Sequence, residues 1–129
     1  MRKKTLITGV IFGFLAVILG AFGAHTLKKM ITPEMIQTFE TGVRYQIYHA
    51  LLLIGISQLK FLSDRSLKMI WMLILIGVVF FSGSIYLLAT NNLSSFDFKT
   101  IGIITPIGGL LLLSGWGLLL MKCLKQDTF

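Results

Sequence analysis

The residues able to do chemistry in this 129-residue chain are few: two histidines, one cysteine and five carboxylates, beside a small set of hydroxyls. The densest run is Glu40, Thr41, Arg44, Tyr45, Tyr48 and His49, and its spacing is helical. Glu40 and Arg44 stand four apart in the order that favours an ion pair, with Thr41, Tyr45 and His49 as a second row beside them. Read plainly, Glu40, Arg44 and Tyr48 are an interfacial ion pair and aromatic belt. Read functionally, Arg44 suits an anionic group, Tyr45 and His49 supply hydrogen bonds, and His49 is the one candidate general base. No catalytic set assembles around them. A triad of Ser84, His49 and Glu40 fails because Glu40 lies more than two helical turns from His49. Nucleophile elbow, phosphate-binding loop and HExxH patterns are absent, as are paired carboxylates within an apolar run. Zinc or copper takes three or four converging ligands, and His25, His49 and Cys123 do not converge in the topology below, while Met30 and Met35 read as apolar filler. Neither a metal nor a cofactor is expected, and no residue is assigned a catalytic role.

The elements that position these residues follow from composition. The chain is 55% hydrophobic and 13% charged, against about 45–50% and about 25% in soluble domains. A lone cysteine excludes an internal disulfide. A bilayer core of about 30 Å takes about 20 helical residues, because a helix satisfies its own backbone where lipid cannot. Uncharged runs over 5–24, 69–89 and 100–121 have that length, and a shorter run continues past Lys60 to give a fourth span over 44–63. The first run follows Arg2, Lys3 and Lys4 as a secretion signal would, but it is longer than a signal core, so it is expected to persist as a helix. The fold class is all-α, an integral membrane four-helix bundle forming one domain over 1–129. With the amino end inside, eight Lys and Arg lie on the inner side and four on the outer, which places both termini in the cytoplasm. The net charge of +7 is thereby spent at membrane boundaries, and no nucleic-acid partner is implied. Trp71 and Trp116 fall toward the inner ends of their helices, where an indole suits the headgroups.

Between the first two spans, Thr32, Pro33 and Glu34 read as an N-cap, a first-turn proline and an early acid. The segment 33–43 is amphipathic, with Gln46 further on as the lone polar residue of the apolar half. Gly42 is the natural place for a bend, which would lay the early part along the outer surface. In the first span Gly9, Gly13, Ala16, Gly20 and Gly23 form a smooth stripe suited to a neighbouring helix or to a second copy. Pro106 in the fourth span removes a backbone hydrogen bond and should kink it. The outer half of the bundle then collects His25, Tyr45, His49, Ser84, Tyr86, Thr90 and Thr105, and His49 should lie one turn below the outer boundary. Only Ser57, Gln58 and Ser114 interrupt the inner half, so no polar path crosses the membrane and a channel or ion pump is disfavoured.

The strings 20–25 (GAFGAH), 39–49 (FETGVRYQIYH), 81–86 (FSGSIY), 105–109 (TPIGG) and 114–116 (SGW) resemble the small membrane-protein family called domain of unknown function 423. That family includes the YwdK-like and YgdD-like bacterial proteins and is related to animal transmembrane protein 256. The resemblance covers nearly the whole chain, one motif or more per span. It implies a multi-pass protein of the bacterial plasma (inner) membrane and brings no activity with it. The residues themselves favour a non-enzymatic protein that binds a lipid, a small amphiphile or a partner through the outer polar cluster. The alternative is a subunit or assembly factor, homo-oligomeric or with another membrane protein, packing through the glycine stripe; a lipid-modifying enzyme comes last.

Overall fold

The computed structural model describes residues 1–93 and 102–126. They form four helices: α1 (Arg2–His25), α2 (Pro33–Ile56), α3 (Asp64–Ala89) and α4 (Ile104–Leu124), with single 3-10 turns at Leu27–Lys29 and Asn91–Leu93. Among the described residues there is no strand. The Thr32 hydroxyl accepts the Met35 N–H at 3.2 Å, with Pro33 at the first helical position, and this starts α2. Ser63 does the same for α3 through the Ser66 N–H at 3.2 Å.

Three helices are long and apolar enough to cross a membrane: α1 with its continuation to Lys29, α3 and α4, at mean hydropathies of 2.4, 2.4 and 1.8. α2 is diluted by Glu34, Glu40, Arg44, Gln46 and His49. Its 24 residues still reach about 36 Å. The helix ends at Ile56, short of residue 63. The remaining segment folds into turns because the Arg2 guanidinium gathers its carbonyls: Ser57 (3.2 Å), Leu59 (2.9 Å), Lys60 (3.4 Å) and Leu62 (2.8 Å). A cation in the first turn of α1 opposes that helix's dipole, but here it sits at the negative end of α2.

α2 and α3 occupy the middle, with α1 against α2 and α4 against α3. The main core is aliphatic and lies toward the Arg2 end: Leu53, Ile56, Leu62, Leu67, Ile70, Ile74, Val78, Leu112 and Leu119. Leu27, Phe39 and Ala89 close the other end. The outward surface is as apolar as the interior, with Phe14 67% and Leu113 68% exposed, the arrangement expected where hydrocarbon is the solvent.

Small residues set the helix separations. The stripe of α1 faces α2: a Cβ on Gly9 would stand 2.8 Å from the Ala50 carbonyl, Gly20 lies against Val43 and Gly23 against Phe39. Gly13 approaches Ala50, and Ala16 is buried in the same row. Gly108 lets α4 reach the backbone of α3 at Phe80 and Phe81. Gly9→Ala should therefore lower stability by about 1 kcal/mol through overpacking. Gly55→Ala, which meets nothing within 4 Å, should be neutral or mildly stabilising. Unfolding of both in mild detergent checks the contrast.

Two expectations about backbone shape change. α2 runs through Gly42 without interruption, since the apolar side of 33–43 is engaged by protein: Phe39 packs on Leu27 and Ala89 with Ile36 and Val43 around it. Pro106 lies in the first turn of α4, where an N–H has no intrahelical acceptor, so the expected kink does not arise.

Candidate functional site: the polar rungs of α2 and the groove toward α4

One buried stripe of α2, Gly42, Gln46 and His49, meets three different helices. At Gly42 the missing side chain admits the Tyr86 ring of α3, and the Gly42 carbonyl accepts the Ser82 hydroxyl at 2.7 Å. One turn on, Gln46 accepts the Tyr86 hydroxyl at 2.6 Å on its Oε1 and donates Nε2–H to the Phe12 carbonyl of α1 at 2.8 Å. A single amide thus ties α1, α2 and α3. Next, His49 accepts the Trp116 indole N–H of α4 on Nε2 at 3.0 Å and donates Nδ1–H to the Tyr45 carbonyl at 2.7 Å. These two partners require the Nδ1–H tautomer. The rings meet edge to face, with centroids 6.0 Å apart. A further bond joins α3 to α4: Ser84 gives its proton to the Phe81 carbonyl, so the Thr105 hydroxyl donates to Ser84 at 2.6 Å. Among the described residues no buried side-chain polar atom lacks a partner.

Beside the His49–Trp116 bond, between α2 and α4, lies a groove of about 570 Å³. Tyr45 and His49 line it from α2, Phe81 from α3, and Pro106, Gly109, Leu110, Leu113 and Trp116 from α4. Tyr45 packs on Phe81 with ring centroids 4.9 Å apart. The lining is mostly hydrocarbon, with the tyrosine hydroxyl and the two nitrogen rings as its polar points, a composition suited to an apolar or amphiphilic molecule.

The residues singled out from the sequence do not form one cluster. Tyr45 and His49 share the groove, Tyr86 belongs to the Gln46 clamp, and Ser84 and Thr105 bond each other. His25 is exposed at the end of α1, with no side-chain hydrogen bond among the described residues. Glu40 and Arg44 are both exposed and form no ion pair among the described residues; Arg44 turns to the Thr41 hydroxyl at 3.2 Å. Depth differs as well. Gln46 bonds Phe12 and Ala50 lies against Gly9 and Gly13, so His49 sits at the middle of α1. The cause is the unbroken α2, which starts packing at Pro33 and carries His49 well inside. Trp116 is drawn to the same depth, away from the headgroup position expected for it. Trp71 does lie near the Arg2 end, donating to the Thr8 hydroxyl at 2.9 Å beneath the Lys4 ammonium at 4.8 Å. Sequence reasoning assigned Gln46 and Trp116 no part in the site and did not mark Ser82. Gln46 carried a usable signal, because a polar side chain on a packing face in lipid has to find a partner on another helix.

An all-α bundle with a hydrocarbon-facing exterior, spanning-length helices and internal polar ties is a membrane protein. The chain belongs to the family described as Protein of unknown function (DUF423), which matches residues 19–109, in agreement with the motif resemblance. It is 38% identical over 128 residues to the UPF0382 membrane protein YwdK of Bacillus subtilis, covering 95% of this chain and 98% of the relative. The UPF0382 inner membrane protein YgdD of Escherichia coli K12 is 36% identical over 122 residues, covering 93% and 88%. The UPF0382 membrane protein SH2409 of Staphylococcus haemolyticus is 37% identical over 123 residues, covering 95% and 97%. No solved structure matches the chain.

Proposed function

We propose that this is a non-enzymatic multi-pass protein of the bacterial plasma membrane that holds a lipid chain or small amphiphile in the groove between α2 and α4. The observation that carries the reading is the groove itself, about 570 Å³ of mainly apolar space with the Tyr45 hydroxyl and the His49–Trp116 pair at its wall. His49 supports a binding role over a catalytic one, because both ring nitrogens are already committed and neither offers a free lone pair to a substrate proton. The glycine stripe of α1 is occupied by α2, which leaves a subunit or assembly role no open seam there. Eight of the twelve Lys and Arg belong to the end where Arg2 holds the 57–62 turn, and this supports α2 as the fourth span with both termini cytoplasmic.

Gly109→Leu tests the reading, because it pushes a side chain into the groove and leaves the His49–Trp116 bond in place; a Cβ there meets only Phe81, at 3.8 Å. Mass spectrometry of molecules co-purifying with the protein should show one species largely lost from this variant. Gly117→Leu, at a position open to the surroundings, should retain it. Identical profiles for wild type and Gly109→Leu would remove the proposal.

A further inference from the structure

A second hollow shares no residue with the α2–α4 groove. At the end where Arg2 holds the turn, α3 begins and α4 finishes, and a groove of about 370 Å³ runs along their seam past Arg65, Lys68, Met69, Met72, Ile76 and Leu111. Its lining is almost wholly apolar, with the side chains of Arg65 and Lys68 reaching it at one end. A smaller hollow of about 290 Å³ adjoins it, shares Arg65 and Met69, and adds Ser66 and Lys122. Arg65 has no partner among the described residues. Ser63 donates its hydroxyl proton to Ser66, at 3.0 Å, so Ser66 keeps its own proton for another acceptor. Asp64 is the single carboxylate between residues 57 and 68, against Lys60, Arg65 and Lys68 there and Lys122 on α4.

We propose that this seam binds an anionic glycerophospholipid of the surrounding leaflet, its phosphate held by Arg65, Ser66 and Lys122 and one acyl chain lying past Met69, Met72 and Ile76. Charge complementarity selects the headgroup, since basic residues between spanning helices draw anionic lipids. Length selects the chain. From Arg65 to Ile76 the helix rises about 16 Å, close to the roughly 15 Å of one leaflet's hydrocarbon. The unbranched methionines give a wall that adapts to a flexible tail. A basic boundary that served orientation alone would need no matching apolar channel beside it.

The test uses the full chain in mild detergent, titrated with phosphatidylglycerol or phosphatidylcholine and read by native mass spectrometry. Wild type should retain phosphatidylglycerol preferentially, and inorganic phosphate should not displace it. Arg65→Gln with Lys122→Gln should weaken retention about thirtyfold, two charges removed near the headgroup. Ile76→Trp, which narrows the apolar channel and leaves every charge, should also weaken it. Lys28→Gln with Lys29→Gln, the same charge change at the opposite end, should have no effect. Equal retention of the two lipids, equal loss in the two charge pairs, displacement by inorganic phosphate, or full retention in Ile76→Trp would each overturn the site. If the Arg65 and Lys122 variant does not fold, the lipid preference and Ile76→Trp still decide.

Discussion

Replacing Arg2 with lysine should destabilise the protein while leaving its orientation unchanged. The two side chains carry the same charge, so the distribution of Lys and Arg that biases orientation is preserved, and a tag on the carboxyl end should stay on the side it occupies in wild type. What lysine lacks is the planar fork. Arg2 reaches the carbonyls of Ser57, Leu59, Lys60 and Leu62, spread over six residues of turn, with two nitrogens. A single ammonium can serve only part of that set. Hydrogen bonds from a charged donor are individually among the stronger ones, and partial exposure of this group tempers them. Arg2→Ala should lower stability by about 3 kcal/mol and Arg2→Lys by about half of that. Amide exchange within 57–62 should accelerate in both variants, ahead of any change in the helix centres. A lysine variant that unfolds like wild type would show that charge alone, and no shaped contact, is at work.

The second large effect is expected at Gln46. It is 5% exposed and bonded on both ends of its amide, to the Phe12 carbonyl and the Tyr86 hydroxyl. Gln46→Ala takes away the acceptor of the Tyr86 hydroxyl, leaving Ser82 as its polar neighbour, and opens a void where three helices meet, for about 2 kcal/mol. Tyr86→Phe strands only the amide oxygen and should lose about 1 kcal/mol. Because the two groups satisfy each other, Gln46→Leu combined with Tyr86→Phe should be less harmful than the sum of Gln46→Leu and Tyr86→Phe made singly, with a coupling of about 1 kcal/mol in that double-mutant cycle. Strict additivity would mean that each finds another partner and that the rung is incidental.

Local chemistry was readable at one helix start. Thr32 with Pro33 carries its signal within a few residues, and α2 begins there, whereas Ser63, expected to end the second span, caps the start of α3. Pro106 was misread for a complementary reason. Proline disrupts a helix only where an N–H is needed, and that depends on where α4 starts. Gly42 carried the same ambiguity. A glycine permits a bend and it permits close approach, and the Tyr86 ring lying on it selects the second. The site was only half legible. Tyr45 and His49 were found together because they share a turn of one helix, whereas Trp116, the partner of His49, is 67 residues away and announces nothing of that bond in its own surroundings.

The sequence by itself determined the solvent and the number of helices. Hydropathy and charge act residue by residue and register in composition and spacing, whatever the neighbours turn out to be. Only the tertiary structure decided which polar groups meet, at what depth, and that Glu40 and Arg44 stay outside, unpaired with each other, while Gln46 and His49 go in. Those outcomes depend on the rotation and offset of each helix against the next. Close contacts at Gly9, Gly42 and Gly108 fix those offsets, and a contact between distant segments has no local signature.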